Sequence, residues 1–184
     1  MRKKHRYFKK IIAVIAVITA LTLCYLIYSI FAYQKLVNEG SVLADNQCLD
    51  VNPVIIERKN SYIMSIQALQ DNDYDEYTRQ TDKYFESSKK YVSLQSEWLN
   101  AQKKFISRWD FQNFNPSYIK EAAKYQYDSR VADMESTKLL IDSYEVVQLN
   151  KSFSEELALK SMEKIKTRND LDKKYDAIWD NPGK

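Results

Sequence analysis

Residues 11–33 carry no charge, and the ten residues before them hold Arg2, Lys3, Lys4, Arg6, Lys9 and Lys10 with no acidic residue. A helix of that length spans about 35 Å at roughly 1.5 Å per residue, enough for a hydrocarbon core of about 30 Å. The run is therefore predicted as a transmembrane helix. Lys35, Glu39 and Asp45 flank its other end. Positive charge stays on the cytoplasmic side, which places the basic arm (residues 1–10) inside and the chain from about residue 36 outside. Tyr7 and Phe8 at the inner boundary, and Tyr28, Phe31 and Tyr33 at the outer one, suit headgroup depth.

A cleaved signal peptide is the competing reading, with small residues at Val42-Leu43-Ala44 for a peptidase. The uncharged run is longer than the apolar region of about 7–15 residues expected of a signal peptide, which favours a retained, single-pass anchor. Cys24 follows the bulky Leu23 and reads as an apolar membrane-facing residue rather than a lipidation site.

The chain has 28 Lys and Arg against 25 Asp and Glu, but six of the basic residues lie in the first ten positions. Everything after them is slightly acidic, so no basic stripe for nucleic acid is expected on the folded part. The arm is read as orienting insertion and touching anionic headgroups. Cys48 is the one cysteine beyond the apolar run, which rules out an intramolecular disulfide framework there. It either staples two copies or stays an unpaired, partly buried thiol.

Residues 34–53 read as a connector, with Asn38, Gly40, Ser41, Asp45-Asn46 and Asn52-Pro53. The anchor helix is expected to reach about Asn38 before Gly40 loosens it. From Pro53 to Gly183 the chain has no glycine, and Pro116 and Pro182 alone interrupt it. That absence argues against a sandwich or barrel and for an all-helical domain over residues 54–180, followed by a tail at 181–184.

Four amphipathic stretches are predicted. Ile55, Tyr62, Ile66 and Leu69, with Ile63 alongside, define one face over about 54–71. Asp71-Asn72-Asp73 reads as a turn with Asp73 as N-cap. A second helix, about 74–110, carries a heptad series of Tyr77, Tyr84, Tyr91, Trp98 and Phe105. The series extends back through Gln70 to Ile63 and Ile56, so one continuous helix is an open alternative. Asn115-Pro116 reads as N-cap and first helical residue of a third helix reaching about 149. Asn150-Lys151-Ser152 breaks it, and Ser152-Phe153-Ser154-Glu155 has the spacing of a capping box for the last helix. Each stripe must be buried, and short connections make neighbours antiparallel, so an elongated antiparallel bundle of three or four helices is expected beyond the anchor.

Two groups of aromatic residues are candidate partner-binding features. Tyr77, Tyr84, Tyr91 and Trp98 either pack a thin bundle with their hydroxyls reaching outward, or line an open groove for a peptide, glycan or helix. Arg108, Trp109, Phe111, Phe114 and Tyr118 lie at the tip between the second and third helices. They either plug the bundle end or form an exposed anchor for another protein, where Trp, Tyr and Arg are enriched.

Catalytic constellations are lacking in the sequence. His5 is the single histidine and sits in the basic arm, so a His-based metal site or triad outside is excluded. A Gly-rich phosphate loop has no glycines to build it. Asp71 to Glu76 is dense in acids but lacks the turn glycine and terminal glutamate of a calcium loop. No cofactor, metal or enzymatic activity is expected. The layout is similar to that of small single-pass components of secretion, division or phage-lysis machines, a likeness of architecture only. The expected partners are the lipid bilayer and other membrane or envelope proteins, self-association included. A ligand- or glycan-sensing module signalling through a membrane partner is the alternative.

Overall fold

The computed structural model describes residues 2–150 and 154–181, with side chains from Val14 onward except Asn150. It is all-helical: α1 (Arg2–Gln70), α2 (Tyr74–Ile106), the short α3 (Trp109–Phe114), α4 (Ser117–Asn150) and α5 (Glu155–Asp180). The side chains of Arg2, Lys3, Lys4, Arg6, Lys9 and Lys10 lie outside the described ones, as do Lys151, Ser152, Phe153 and residues 182–184.

The expected connector over residues 34–53 is instead helical, because α1 runs unbroken for 69 residues, roughly 100 Å at 1.5 Å each. Gly40 and Pro53 do not stop it. Proline lacks the N–H that would bond the carbonyl four residues back, and that carbonyl belongs to Leu49, on an exposed part of the helix where solvent can reach it. Gly40 lets α2 approach: a β-carbon there would lie 3.3 Å from Cζ of Phe105. Contact of Phe105 at Gly40, and packing of Val51 and Val54 on Tyr91 either side of Pro53, offset the weak local propensity.

The part of α1 that is long and apolar enough to cross a membrane projects from the rest. Its large apolar side chains from Val14 to Phe31 are all more than half exposed. Its threonine and serine hydroxyls are satisfied within the helix: Thr19 donates to the Ile15 carbonyl at 2.9 Å and Thr22 to that of Ile18 at 2.8 Å. Ser29 likewise donates to the Tyr25 carbonyl at 3.0 Å. A segment in hydrocarbon needs that internal pairing.

The helix does break at Asp71-Asn72-Asp73, so the single-helix alternative for residues 54–110 is excluded. Asn72 takes the left-handed conformation, φ 58°, which asparagine tolerates better than most residues. The Asp73 N–H reaches the Ala68 carbonyl at 2.9 Å and that of Asn72 the Leu69 carbonyl at 3.3 Å, the bond pair of a Schellman C-cap. Asp73 then caps α2, its carboxylate accepting the Glu76 N–H at 3.0 Å. The second helix stops at Ile106 rather than about 110, and the aromatic tip forms α3. Asn115 does not cap α4 from in front; its side-chain amide donates to the Phe111 carbonyl at 3.0 Å, closing α3. The Pro116 carbonyl starts α4 by accepting the Ile119 and Lys120 N–H groups.

Cross-helix pairs show three antiparallel seams. Glu39 meets Arg108, Gln47 meets Gln95 and Arg58 meets Ser88 between α1 and the α2–α3 segment. Tyr91 bonds Asp133, and Tyr144 bonds Asp82, between α2 and α4. Ser129 donates to Asp172 at 2.5 Å, and Ser136 meets Ser161 at 3.1 Å, between α4 and α5. The apolar centre is small: Val51, Val54 and Tyr91, flanked by Val92, Leu94 and Trp98.

The seams are built from small and amide side chains. Ser61, Ser65 and Ala68 are buried on α1, Ser87 and Ser88 on α2, and Ser129, Ala132 and Ser136 on α4. Such residues bring helix axes close. One consequence overturns an expectation: Ile55, Tyr62, Ile63, Ile66 and Leu69, read as the buried face over 54–71, are all exposed. Val54, Ser61, Ser65 and Ala68 occupy the seam in their place.

Candidate functional site

The outward side of α1 carries a long apolar stripe. Val42, Leu49, Ile56 and Ile63 recur every seven residues, and each is at least half exposed. Cys48, Ile55 and Tyr62 sit one position before three of them and are exposed as well. A seven-residue repeat keeps side chains on one slowly winding face of a helix, the pattern that accepts a second helix. Cys48 carries a free thiol at the edge of that face. Sequence reasoning misses Val42, Leu49, Ile56 and Ile63 as binding residues. The Ile56–Ile63 spacing is visible in the chain, but it reads there as part of a core face.

The aromatic ladder of α2 packs inward rather than lining one open groove. Tyr91 is 4% exposed. Its hydroxyl donates to Asp133, and the Arg58 guanidinium covers its ring at 4.5 Å. Burial, then the Asp133 charge, pushes the Tyr91 phenol well above the usual tyrosine range. Tyr84 is half-buried between Tyr62 and Phe85, with ring centroids 5.9 and 5.1 Å away. Tyr77 is half-buried, and Trp98 is half-buried against the apolar centre.

The tip divides between the two roles considered for it. Phe111 is buried and meets Phe105 edge-on at 5.5 Å, plugging the end. Trp109 is 66% exposed. Phe114 is half-buried between Trp109 and Tyr28. Tyr118 is half-buried and meets Trp179 of α5 at 6.3 Å. Arg108 bonds Asp110 through Nε at 3.0 Å and Glu39 through Nη1 at 2.5 Å. Those two carboxylates hold its guanidinium well above its ordinary range.

Polar side chains connect all four long helices between the ends. Gln47 donates to Gln95 at 3.3 Å and accepts from Arg130 of α4. Asp133 accepts from Tyr91 and, at 2.7 Å, from Arg168 of α5. Arg130 and Gln102 also line a crevice of about 130 Å³ with Gly40, Gln47, Phe105 and Phe111. The Oε1 atom of Gln102 is buried there without a partner. Sites for drug-sized ligands run to about 300–1,000 Å³, so this crevice suits nothing larger than a few solvent-sized groups. Among the described residues no cluster of His, Cys, Asp and Glu is arranged to hold a metal.

Comparison with protein-family models, curated proteins and solved structures finds no match. The functional reading therefore rests on the chain's own surfaces.

Proposed function

We propose that this protein is a non-enzymatic, single-pass membrane subunit with its N-terminus in the cytoplasm. Its extracytoplasmic helical rod docks onto other membrane or envelope proteins, in an assembly of the secretion, division, phage-related or immunity kind. The observation that carries the reading is the inverted use of α1. Val51, Val54 and then the small Ser61, Ser65 and Ala68 face the chain's own seam, while Val42, Leu49, Ile56 and Ile63 face outward at heptad spacing. Leaving large side chains outside forgoes about 1.5–3 kcal/mol of burial for each, a loss recovered only when a partner covers them. An α1 held perpendicular to a bilayer presents this stripe side-on, where neighbouring single-pass proteins approach. The ligand-sensing alternative has the small crevice beside Arg130 and Gln102 and open surface hollows of about 450 Å³ near Lys89 and Lys138 and about 460 Å³ near Cys48 and Ile56.

Photocrosslinking from position 56 in intact membranes tests the reading. A discrete protein adduct that disappears in the Leu49→Asp/Ile63→Asp variant, while that variant stays folded and inserted, supports it. Reaction with solvent alone at that position would remove its basis.

A further inference from the structure

The aromatic tip hangs beside the apolar run, not at the far end of the rod. Phe114 meets Tyr28, a residue inside the uncharged run, edge-on at 6.0 Å between ring centroids, and Trp109 meets Phe114 at 5.6 Å. Further along α1, Arg108 bonds Glu39. Tyr28 and Glu39 are separated by about 16 Å of helix at 1.5 Å per residue, so α3 lies alongside the stretch where the anchor passes from apolar to charged. Trp179 and Tyr118 bring the end of α5 and the start of α4 to the same end.

The side-chain amides of α3 are turned onto backbone carbonyls of α3 and of the end of α2. Gln112 donates to the Ile106 carbonyl at 2.6 Å, and Asn113 to the Trp109 carbonyl at 2.7 Å. Lys120 donates to the Gln112 carbonyl at 3.0 Å. Asp110 pairs with Arg108 and accepts the Phe111 N–H at 3.0 Å. Amides in bulk water gain little from such pairing, whereas groups at a lipid boundary need it. The ring left outside is Trp109, and tryptophan with arginine and tyrosine nearby is the side-chain set of a membrane–water interface.

We propose that α3 seats in the headgroup–acyl boundary of the bilayer crossed by residues 11–33, with Trp109 and Phe114 facing lipid. The inference rests on that span. It gives the rod a second point of attachment, so that its tilt and the direction of the α1 stripe are set by the membrane surface and not by the anchor alone. Lipid is favoured over a protein occupant because the patch is continuous with Tyr28 of the span itself.

The test uses the full chain in phosphatidylcholine liposomes. In Trp98→Phe/Trp179→Phe protein, Trp109 is the sole tryptophan; a second protein lacks all three native tryptophans and carries Phe31→Trp as a span reporter. Lipids brominated near the headgroup end of the acyl chain are expected to quench both, and aqueous iodide to quench Trp109 several-fold less than a free tryptophan analogue. Quenching of the span reporter by bromolipid, with Trp109 open to iodide, overturns the inference and leaves the anchor standing. Trp109 shielded from both quenchers means protein cover and also overturns it. Failure of bromolipid to quench either protein overturns the span and the inference together. Fluorotryptophan-labelled native chain, read by 19F resonance with the same lipids, supplies the measurement should the substitutions impair folding.

Discussion

Tyr91 and Asp133 join α2 to α4, the phenol donating to a carboxylate that also accepts Arg168 of α5 at 2.7 Å. Three helices thus depend on one acceptor group. The phenol is buried beside a negative charge, and both effects favour its neutral form. Its stabilising contribution is complete below the unfolded tyrosine pKa of about 10 and is lost as pH rises through the raised folded value. Stability should therefore decline above about pH 10, and less steeply in Tyr91→Phe. At neutral pH the substitution should cost about 1–2 kcal/mol in urea unfolding, because it removes one hydrogen bond to the half-buried Asp133 carboxylate, which Arg168 still pairs.

The turn at Asp71-Asn72-Asp73 should tolerate little change. Asp73→Ala removes the α2 N-cap and should cost about 0.5–2 kcal/mol. The Glu76 carboxyl one turn in is held down at about 2, first by hydrogen bonding from Arg79 and then from Gln80. Its contribution is present above its ordinary value of 4.5 and lost as pH falls through about 2. Side-chain NMR titration of Glu76 should give that low midpoint, and Arg79→Ala should raise it.

Substitutions on the two faces of α1 should behave oppositely. Val54→Ala, in the centre with Tyr91, is expected to lower stability by about 1–3 kcal/mol. Ile56→Ala and Ile63→Ala, on the outward stripe, should change it by no more than about 0.5 kcal/mol. Chemical denaturation of the detergent-solubilised chain separates the two; comparable losses on both faces would place the stripe in a hidden intramolecular contact.

Gly40 sits where α1 and α2 come close. Gly40→Ala should gain about 1 kcal/mol of helix propensity, offset by the displacement its β-carbon imposes on the Phe105 ring. Gly40→Leu has no such room and should lose about 1–3 kcal/mol through overpacking, seen as a lowered thermal midpoint.

The Asp73 cap, the turn at Asn72 and the aromatic tip are legible in the sequence, since caps and turns depend on neighbours within a few residues. The continuity of α1 through Gly40 and Pro53 is not. Both residues are poor helix formers in isolation, and the compensating contacts come from α2, through Phe105 beside Gly40 and through Tyr91 packing on the Val51 and Val54 that flank the exposed Pro53. The role of Asp133 is equally hidden, because one acid among many on a helix becomes special only when Tyr91 and Arg168 arrive from other helices.

Periodicity and charge by themselves determined that this chain is helical and that residues 11–33 suit lipid, because both are properties of consecutive residues. Tertiary structure decided which side of α1 is the inside. Serine and alanine allow a closer helix approach than isoleucine, so Ser61, Ser65 and Ala68 took the seam over that stretch and turned Ile63, Ile66 and Leu69 outward. A heptad of large apolar residues reads identically whether it faces the chain's own core or another molecule.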